Sequence, residues 1–203
     1  MPKYEINPES KEMIPIHSFE IEIEYVHNLK ELYKRLQLWL EDKGWIDLFG
    51  DTNYEVRYWQ RDLPGDRQEH HIWWRAWRHR STAQTKSHFF KYYMTLNYQT
   101  INSQKTEVMH QGKKWKLWNT NTILRGKFFL YRDFEGLDGN EAKWFKNFKN
   151  RFTQWIYKDQ LKEKEDELLH YAINFQNVIK DFLEIAKDKD IETGIHPPNE
   201  LPR

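Results

Sequence analysis

The clearest alternation of apolar and polar positions lies in residues 89–102, FFKYYMTLNYQTIN. Every second residue is apolar or aromatic, and the residues between them are mainly polar. The predicted inward face consists of Phe90, Tyr92, Met94, Leu96 and Tyr98. This pattern is typical of a half-buried β-strand. Because strands are predicted on both sides of it, we expect it to lie centrally in an antiparallel sheet.

A second alternating segment, residues 19–25 (FEIEIEY), predicts an earlier strand with an acidic exposed face. Glu20, Glu22 and Glu24 share that face. Paired carboxylates can act as acid and base, but a solvated face, or pairing with a neighbouring basic strand, is the simpler interpretation.

Helical spacing follows this strand. Asn28 and Glu31 have the spacing of a capping box, and Gly44 is suited to end the helix. The residues between them form one apolar stripe, namely Leu29, Leu32, Tyr33, Leu36, Trp39 and Leu40.

Residues 54–61 and 70–81 predict a pair of strands joined by a turn at 63–67 (LPGDR). The second strand has two different faces. One comprises His71, Trp73, Arg75, Trp77 and His79, and the other comprises Ile72, Trp74, Ala76 and Arg78. Only the second set suits a core, so we expect Trp73 and Trp77 to lie outside it.

Two further strands are predicted after a break at 102–104. Residues 108–118 form the first, interrupted by a turn or bulge at Gln111-Gly112, and a turn at 119–121 leads into residues 122–132. Gly126 permits a bend or a close approach by the helices.

The last third of the chain is predicted to be helical. Asp138 and Glu141 fit a capping box before a helix rich in Phe and Trp, and the charged residues 158–167 lead into an apolar stripe at 168–187. The absence of Gly and Pro between them favours a continuous or kinked helix.

Together these elements predict an α+β fold. It has an antiparallel sheet of about five to six strands, with an N-terminal helix and one or two long C-terminal helices packed on one face. We expect one domain at 19–187, between an extended arm at 1–18 and a proline-containing tail at 188–203.

Composition narrows the classes of function. Lys and Arg number 32 against 31 Asp and Glu, so no global field draws the chain to nucleic acid or membrane. There is no cysteine, which excludes disulfides and thiolate chemistry. No run of residues is apolar enough for a membrane span, and a signal-peptide core is missing, so we expect a soluble, cytoplasmic protein or one within a particle assembled there.

An aromatic and basic cluster is the main candidate site. Its residues are Arg57, Trp59, Arg61, Trp73, Arg75, Trp77, Arg78, His79 and Arg80. The surrounding segment 57–91 has eight Lys and Arg against three Asp and Glu, a net charge of +5 before histidines. Arginines with exposed aromatics suit single-stranded nucleic acid, a protein interface or internal packing, and all three interpretations stay open here.

Other chemistry has weak support. His70, His71, His79, His88 and His110 lack the spacing of a zinc site, and adjacent strand residues point to opposite faces. Phosphate-binding loops and a nucleophile elbow are missing from the sequence. We therefore predict no cofactor, no metal and no catalysis. A START-like carrier of apolar ligands is a further alternative, although large residues such as Phe148, Trp155 and Phe175 suit filling that space.

Four stretches, taken in order, resemble a known group of sequences. They are residues 32–45 (LYKRLQLWLEDKGW), 89–99 (FFKYYMTLNYQ), 112–116 (GKKWK), and the run from 133–136 (DFEG) to 165–168 (EDEL). They resemble an uncharacterised family of small soluble proteins met chiefly in archaeal genomes. The resemblance implies a single domain with this order of elements and transfers no function.

We accordingly expect a non-enzymatic module that binds a protein partner or associates with itself. Proline-containing ends and a Trp/Arg strand suit part of a larger assembly, of which a viral particle is one possible setting. Nucleic-acid binding and apolar-ligand transport are the alternatives.

Overall fold

In a computed structural model of the chain, the residues described are 13–47, 49–78, 90–110, 113–132 and 158–193. They form five strands and two helices, in the order strand, helix, four strands, helix. The elements are β1 (Met13–Ile23), α1 (Leu29–Asp42), β2 (Glu55–Leu63), β3 (Arg67–Arg78), β4 (Phe90–His110), β5 (Lys113–Arg132) and α2 (Lys158–Thr193). The predicted α+β class, with an N-terminal and a C-terminal helix, is confirmed.

The five described strands form one antiparallel sheet in the spatial order β1-β5-β4-β3-β2. β4 is therefore the central strand, as its alternation predicts. Its inward residues Tyr92, Met94, Leu96 and Tyr98 are all buried. Each continues a row of buried side chains across the sheet, because directly opposite residues share a face.

Both helices pack on one face of this sheet, which we call the helix-covered face. Leu32 and Leu36 of α1 and Phe175 of α2 belong to the same buried cluster as Trp74 and Leu96. Aromatic contacts join the layers: the Tyr33 ring lies 4.7 Å from Trp74 and the Phe175 ring 6.0 Å from Phe128. The opposite face of the sheet is called the far face below.

The start and end of α1 are those predicted. The Asn28 side chain accepts a hydrogen bond from the Glu31 backbone N–H at 3.2 Å, which satisfies one of the free donors at the helix N-terminus. After Lys43 the chain turns at Gly44, whose φ of +69° is the left-handed conformation that glycine adopts without strain.

The first strand begins earlier than predicted. β1 starts at Met13, so residues 13–18, which the sequence assigns to the arm, pair with β5. Pro15 hides this strand from the sequence, and it lies beside a register shift between Pro15 and His17. Proline is tolerated there because β1 is at the edge of the described sheet. Residues 1–12 of the predicted arm lie outside the described residues.

The predicted break at 102–104 and turn at 119–121 are wrong, because both lie inside two long paired strands. β4 and β5 stay paired from Phe90 and Arg132 to His110 and Lys113, with one register shift between Ile101 and Gln104. The predicted interruption at Gln111-Gly112 lies outside the described residues. Asn102 has a φ of +54° at a register shift, so this turn-forming residue makes a bulge instead.

The C-terminal helix is longer than its apolar stripe. α2 begins at Lys158 and ends at Thr193, so it includes the charged run before residue 168 and residues 188–193 of the predicted tail. Lys and Glu are good helix formers, and Lys164 is paired with Glu167 at 3.0 Å one turn along. The helix predicted after Asp138 and residues 194–203 lie outside the described part of the chain.

Gly126 of β5 allows a close contact, although not with a helix as the sequence suggests. It lies directly opposite Phe19 of β1, and a methyl group built at Gly126 overlaps the Phe19 ring. That ring is buried and lies 6.2 Å from the ring of Phe175 on α2. Gly126 thus leaves the space in which β1 contributes an aromatic side chain to the core.

We expect Gly126→Ala to lower the free energy of unfolding by about 1–3 kcal/mol, because the Phe19 ring has to move within a packed core. Urea unfolding measures this. Lys127→Ala, on the exposed side of the same strand, is the control and should stay within about 0.5 kcal/mol of wild type. Adding Phe19→Leu should recover part of the loss, and strictly additive effects of the two substitutions would contradict the contact.

A buried histidine fixes the segment between β1 and α1 to β5. His27 pairs with Trp118 through two backbone hydrogen bonds of 3.0 Å. Its Nδ1 lies 2.7 Å from the Tyr25 carbonyl oxygen and therefore carries the proton, which leaves Nε2, 3.2 Å from Thr122 Oγ1, as an acceptor. Burial lowers the pKa of His27 and outweighs the opposing effect of the Tyr25 carbonyl.

This lowered pKa predicts loss of stability in mild acid. Below the unfolded-state pKa of about 6.5, the unfolded chain binds a proton that the folded chain resists, so the free energy of unfolding falls as the pH drops. Burial also lowers the pKa of His70, which adds to the effect. Urea unfolding of His27→Gln at neutral and acid pH should show a smaller dependence on pH than wild type. An unchanged dependence would show that His27 does not titrate with unfolding.

Candidate protein interface on the far face of β2 and β3

Most residues of the predicted Trp/Arg cluster lie on the far face of two neighbouring strands. In the register of β2 and β3, Arg57 lies opposite Trp73, and Trp59 lies opposite His71. The alternate β3 residue Trp74 points into the core under α1. The strand pairing thus brings together side chains that are separated by up to 16 residues in sequence.

Four of these side chains stack in a row that we call the Trp/Arg ladder: Arg57, Trp59, His71 and Trp73. The Trp59 ring meets His71 edge-on at 4.9 Å, and the His71 ring stacks on Trp73 at 5.8 Å. The Arg57 guanidinium lies 5.1 Å from the centre of the Trp73 ring, a cation–π distance. Ring contacts of this kind hold large side chains in place at an exposed surface.

The arginines of this region have no acidic partner in the described structure. Among the described residues, no ion pair joins Arg57, Arg61 or Arg75 to a carboxylate. Glu69 lies opposite Arg61 in the strand register, yet the two form no salt bridge. The far face of β2 and β3 therefore presents three positive charges that are available to another molecule.

The sequence places Trp77 outside the core, and this is wrong. Trp77 is 4% exposed and belongs to a second buried cluster, on the far face, with Met13, Tyr93, Phe129 and Tyr131. Its ring lies 4.3 Å from that of Tyr93 on β4. The sequence does contain a signal for this cluster. Trp77, Tyr93 and Phe129 are aromatic residues at far-face positions of three adjacent strands, so both faces of these strands are apolar at one end.

Arg78, unlike Trp77, does not lie on the far face. It lies on the side of α2, where its guanidinium is 4.1 Å from the centre of the Tyr171 ring. Beside it, Tyr92 donates a hydrogen bond to Glu167 at 2.7 Å, and burial together with this carboxylate raises the pKa of Tyr92. Arg78 thus joins the sheet to α2 and is removed from the candidate interface.

Some of the remaining candidate residues, including the histidines considered as metal ligands, are described in the structure and others are not. His79 and Arg80, at the end of the predicted cluster, lie outside the described residues, as does His88. His70 and His71 point to opposite faces: His70 bonds to Thr100 Oγ1 at 2.9 Å, and His71 belongs to the ladder. Across the described residues, no group of three or more His, Asp and Glu side chains converges as a metal site.

β2 itself is the most exposed strand. Within the described sheet it has a neighbour on one side only, and the seven consecutive residues 56–62 are exposed on both faces. The apolar residues among them are Val56 (46% exposed), Tyr58 (48%) and Trp59 (39%). Edge strands carry unpaired backbone N–H and C=O groups, which are able to pair with another strand.

The beginning of this strand, by contrast, is fixed to the core. Tyr54 is buried and donates a hydrogen bond from its hydroxyl to the Trp45 carbonyl at 2.8 Å. Its own carbonyl accepts from the Arg75 N–H at 2.9 Å. A register shift between Glu55 and Arg57 then separates this anchored part from the exposed part. The edge is thus a rigidly attached strand and not a loose loop.

The two sides of the far face differ in charge. On β1, Glu20 and Glu22 are exposed, and Glu20 forms a two-pronged ion pair with Arg125 of β5 at 2.9 and 3.1 Å. The hydrogen bond from Arg125 lowers the pKa of Glu20. This confirms a pairing of the acidic strand with a basic residue of its neighbour. Glu20 and Glu22 are therefore at the β1 side of the far face, and the arginines without an ion-pair partner are at the β2 side.

Beyond the β2–β3 turn lies a polar surface recess of about 470 Å³. Its lining includes Asp62, Asp66, Arg67 and Lys105, which carry both signs of charge. A recess of this kind does not match the apolar cavity expected of a lipid or sterol carrier.

Comparison with known proteins gives no family and no curated relative, because no family model and no curated protein matches the chain. The resemblance to an archaeal family stays a prediction. No helix in the described part of the chain is both long and apolar enough to cross a membrane.

Proposed function

We propose that this chain is a non-catalytic protein-binding and assembly module that recognises an extended strand at the edge of β2. The observation that carries the proposal is the exposure of residues 56–62 in a strand with one neighbour in the described sheet. An extended partner that adds to such an edge gains backbone hydrogen bonds and side-chain contacts on both faces.

The side chains around the edge support a protein partner. Trp, Tyr and Arg are the residues most enriched as anchors in protein interfaces. Arg57, Tyr58 and Trp59 are consecutive residues of β2. The ladder holds Trp59 and Arg57 against β3, so little side-chain entropy is lost when a partner binds. The partner here is a protein strand, either another protein or a copy of this chain.

We expect the double variant Val56→Lys with Tyr58→Lys to weaken both self-association and partner binding, because lysines on an edge strand oppose strand addition. Both positions are exposed, so folding should be retained. The measurements are the native mass over a wide range of protein concentration and the proteins retained by the immobilised chain.

The matched control is Leu38→Lys with Ile173→Lys, which also replaces two exposed apolar residues, here on the helices. It should leave mass and captured proteins unchanged. If wild type keeps the mass of one chain at every concentration, and the edge and control variants capture the same proteins, the proposal is wrong.

A second candidate function is binding of single-stranded nucleic acid on the far face. The ladder favours it, because aromatic rings can stack on bases while Arg57 and Arg75 contact phosphates. The near-neutral net charge of +1 weighs against it.

This candidate predicts that an oligothymidylate binds with an affinity that falls steeply as salt is raised. Arg57→Gln with Arg75→Gln should weaken that binding by about tenfold or more, since each removes a phosphate contact. Lys34→Gln with Arg35→Gln, two exposed cations on α1, is the control of equal charge. Equal losses in both double variants would indicate unspecific attraction only.

The carrier of apolar ligands has less support. Phe175, whose side chain is fully buried, fills the space between α2 and the sheet, with rings of Phe19, Trp39 and Phe128 at 5.0–6.2 Å. Membership of a larger particle, including a viral one, belongs with the assembly proposal and has the same test.

A further inference from the structure

We propose that the β2 edge selects an acidic extended segment, with carboxylates placed to meet Arg57 and Arg61. The inference rests on the proposed function and names the chemistry of its partner. The inference starts from the charge at this edge, because in the described structure these two exposed arginines have no carboxylate partner. Arg125, near the β1 edge of the same face, is by contrast paired with Glu20.

The spacing of the edge residues defines the pattern of the partner. Arg57, Trp59 and Arg61 occupy alternate positions on one face of β2, so the Cα atoms of the two arginines are four residues apart, about 13–14 Å along the strand. A strand added beside β2 would place carboxylates at its positions i and i+4 opposite the two arginines, and the Arg57 guanidinium would exchange its contact with the Trp73 ring for the nearer carboxylate. The residue at i+2 would meet Trp59, where an apolar side chain is favoured.

The helix-covered side of the same strand has a different character. There Tyr58 is 48% exposed and contacts the ring of His70 at 6.2 Å. Val56, at the register shift where β2 leaves its anchored start, is 46% exposed. The intervening residues of the added strand would therefore meet Tyr58 and Gln60, a mixed aromatic and polar surface that suits threonine side chains. The segment selected is thus amphipathic and acidic on one side.

The same arginines disfavour other occupants. A basic strand meets like charge directly across the pair, which is destabilising. Two copies of β2 paired about Trp59 would place Arg57 opposite Arg61 of the other copy twice, so that register is disfavoured as well. Glu69 opposite Arg61 is the nearest competing acid in the register, and it forms no ion pair there.

The test uses the full chain and three labelled peptides of alternating residues. The acidic peptide has Glu at the i and i+4 positions, Val between them at i+2, and Thr on the other face; the second has Gln and the third Lys in place of Glu. Peptide binding is measured by fluorescence anisotropy at low and moderate salt. We expect the acidic peptide to bind about tenfold more tightly than the Gln peptide, and the Lys peptide to bind least.

Two double variants locate the effect. Arg57→Gln with Arg61→Gln should abolish the preference for the acidic peptide while leaving the Gln peptide unchanged. Val56→Lys with Tyr58→Lys should weaken binding of the Gln and Lys peptides, because lysines on the edge oppose strand addition and no carboxylate offsets them. Lys34→Gln with Arg35→Gln on α1 removes the same charge elsewhere and should preserve the preference.

Every other outcome overturns the inference in a recognisable way. Equal binding of the acidic and Gln peptides would retain edge docking, and hence the proposed function, but remove the charge selection. If no peptide binds, and the native mass rises with concentration in wild type but not in the Val56→Lys with Tyr58→Lys variant, the occupant of the edge is a second copy of the chain. Tighter binding of an oligothymidylate, dependent on Arg57 and Arg75 but not on Val56 and Tyr58, would favour nucleic acid. A chain that binds no peptide, stays monomeric and captures the same proteins in its edge and control variants would overturn the inference and the proposed function together.

Discussion

The assignment of every side chain to a face depends on the register of β4 against its two neighbours. Leu96 lies opposite Trp74 on one side and Gly126 on the other, and all three are on the helix-covered face. A slip of β3 by one residue against β4 would exchange the faces of β3, bringing Arg75 under the helices and Trp74 into solvent. Burial of the rows under α1 and α2 therefore also determines which residues of β3 remain outside. The candidate far-face interface is a consequence of how the opposite face packs.

Exposed edge strands are a hazard in soluble proteins, and β2 combines the hazard with a safeguard. Its residues 56–62 are exposed on both faces, which by itself would favour indiscriminate pairing between chains. The two arginines on the edge resist pairing with neutral apolar strands, because desolvating an unpaired guanidinium is costly. The acidic segment proposed above would remove that cost by pairing with them. Under this proposal, protection from aggregation and choice of partner have the same physical origin in β2.

The local features of the fold could be predicted from the sequence, whereas those that depend on distant partners could not. The Asn28 cap and the alternation of β4 arise from neighbouring residues and were predicted correctly. Trp77 was misplaced because its burial depends on Tyr93 and Phe129 from two other strands. Residues 13–18 have no alternating pattern of their own, and they form a strand because they pair with β5. The sequence alone therefore does not predict this part of β1.

The candidate site shows the same division. Alternation correctly placed Trp73 and Arg75 on one face of β3, but only the strand register shows that Arg57 lies over Trp73 and that Trp59 contacts His71. Arg78 was included because it is close in sequence to the cluster, yet its parity along β3 sends it to Tyr171 of α2. A composition count over residues 57–91 cannot make this distinction, because it ignores which face each charge occupies.

The near-neutral net charge of the chain conceals an ordered distribution on the far face. Arginines without acidic partners stand on β2 and β3, while Glu20 and Glu22 stand on β1, with Arg125 between them already paired to Glu20. A partner that covers the whole face therefore meets charges of both signs, with the arginines and Glu69 at the β2 side and Glu20, Glu22, Arg125 and Lys127 at the β1 side. Under the proposal above, such a mixed surface suits a protein partner, whose own charges can match both signs, better than a uniformly anionic polymer.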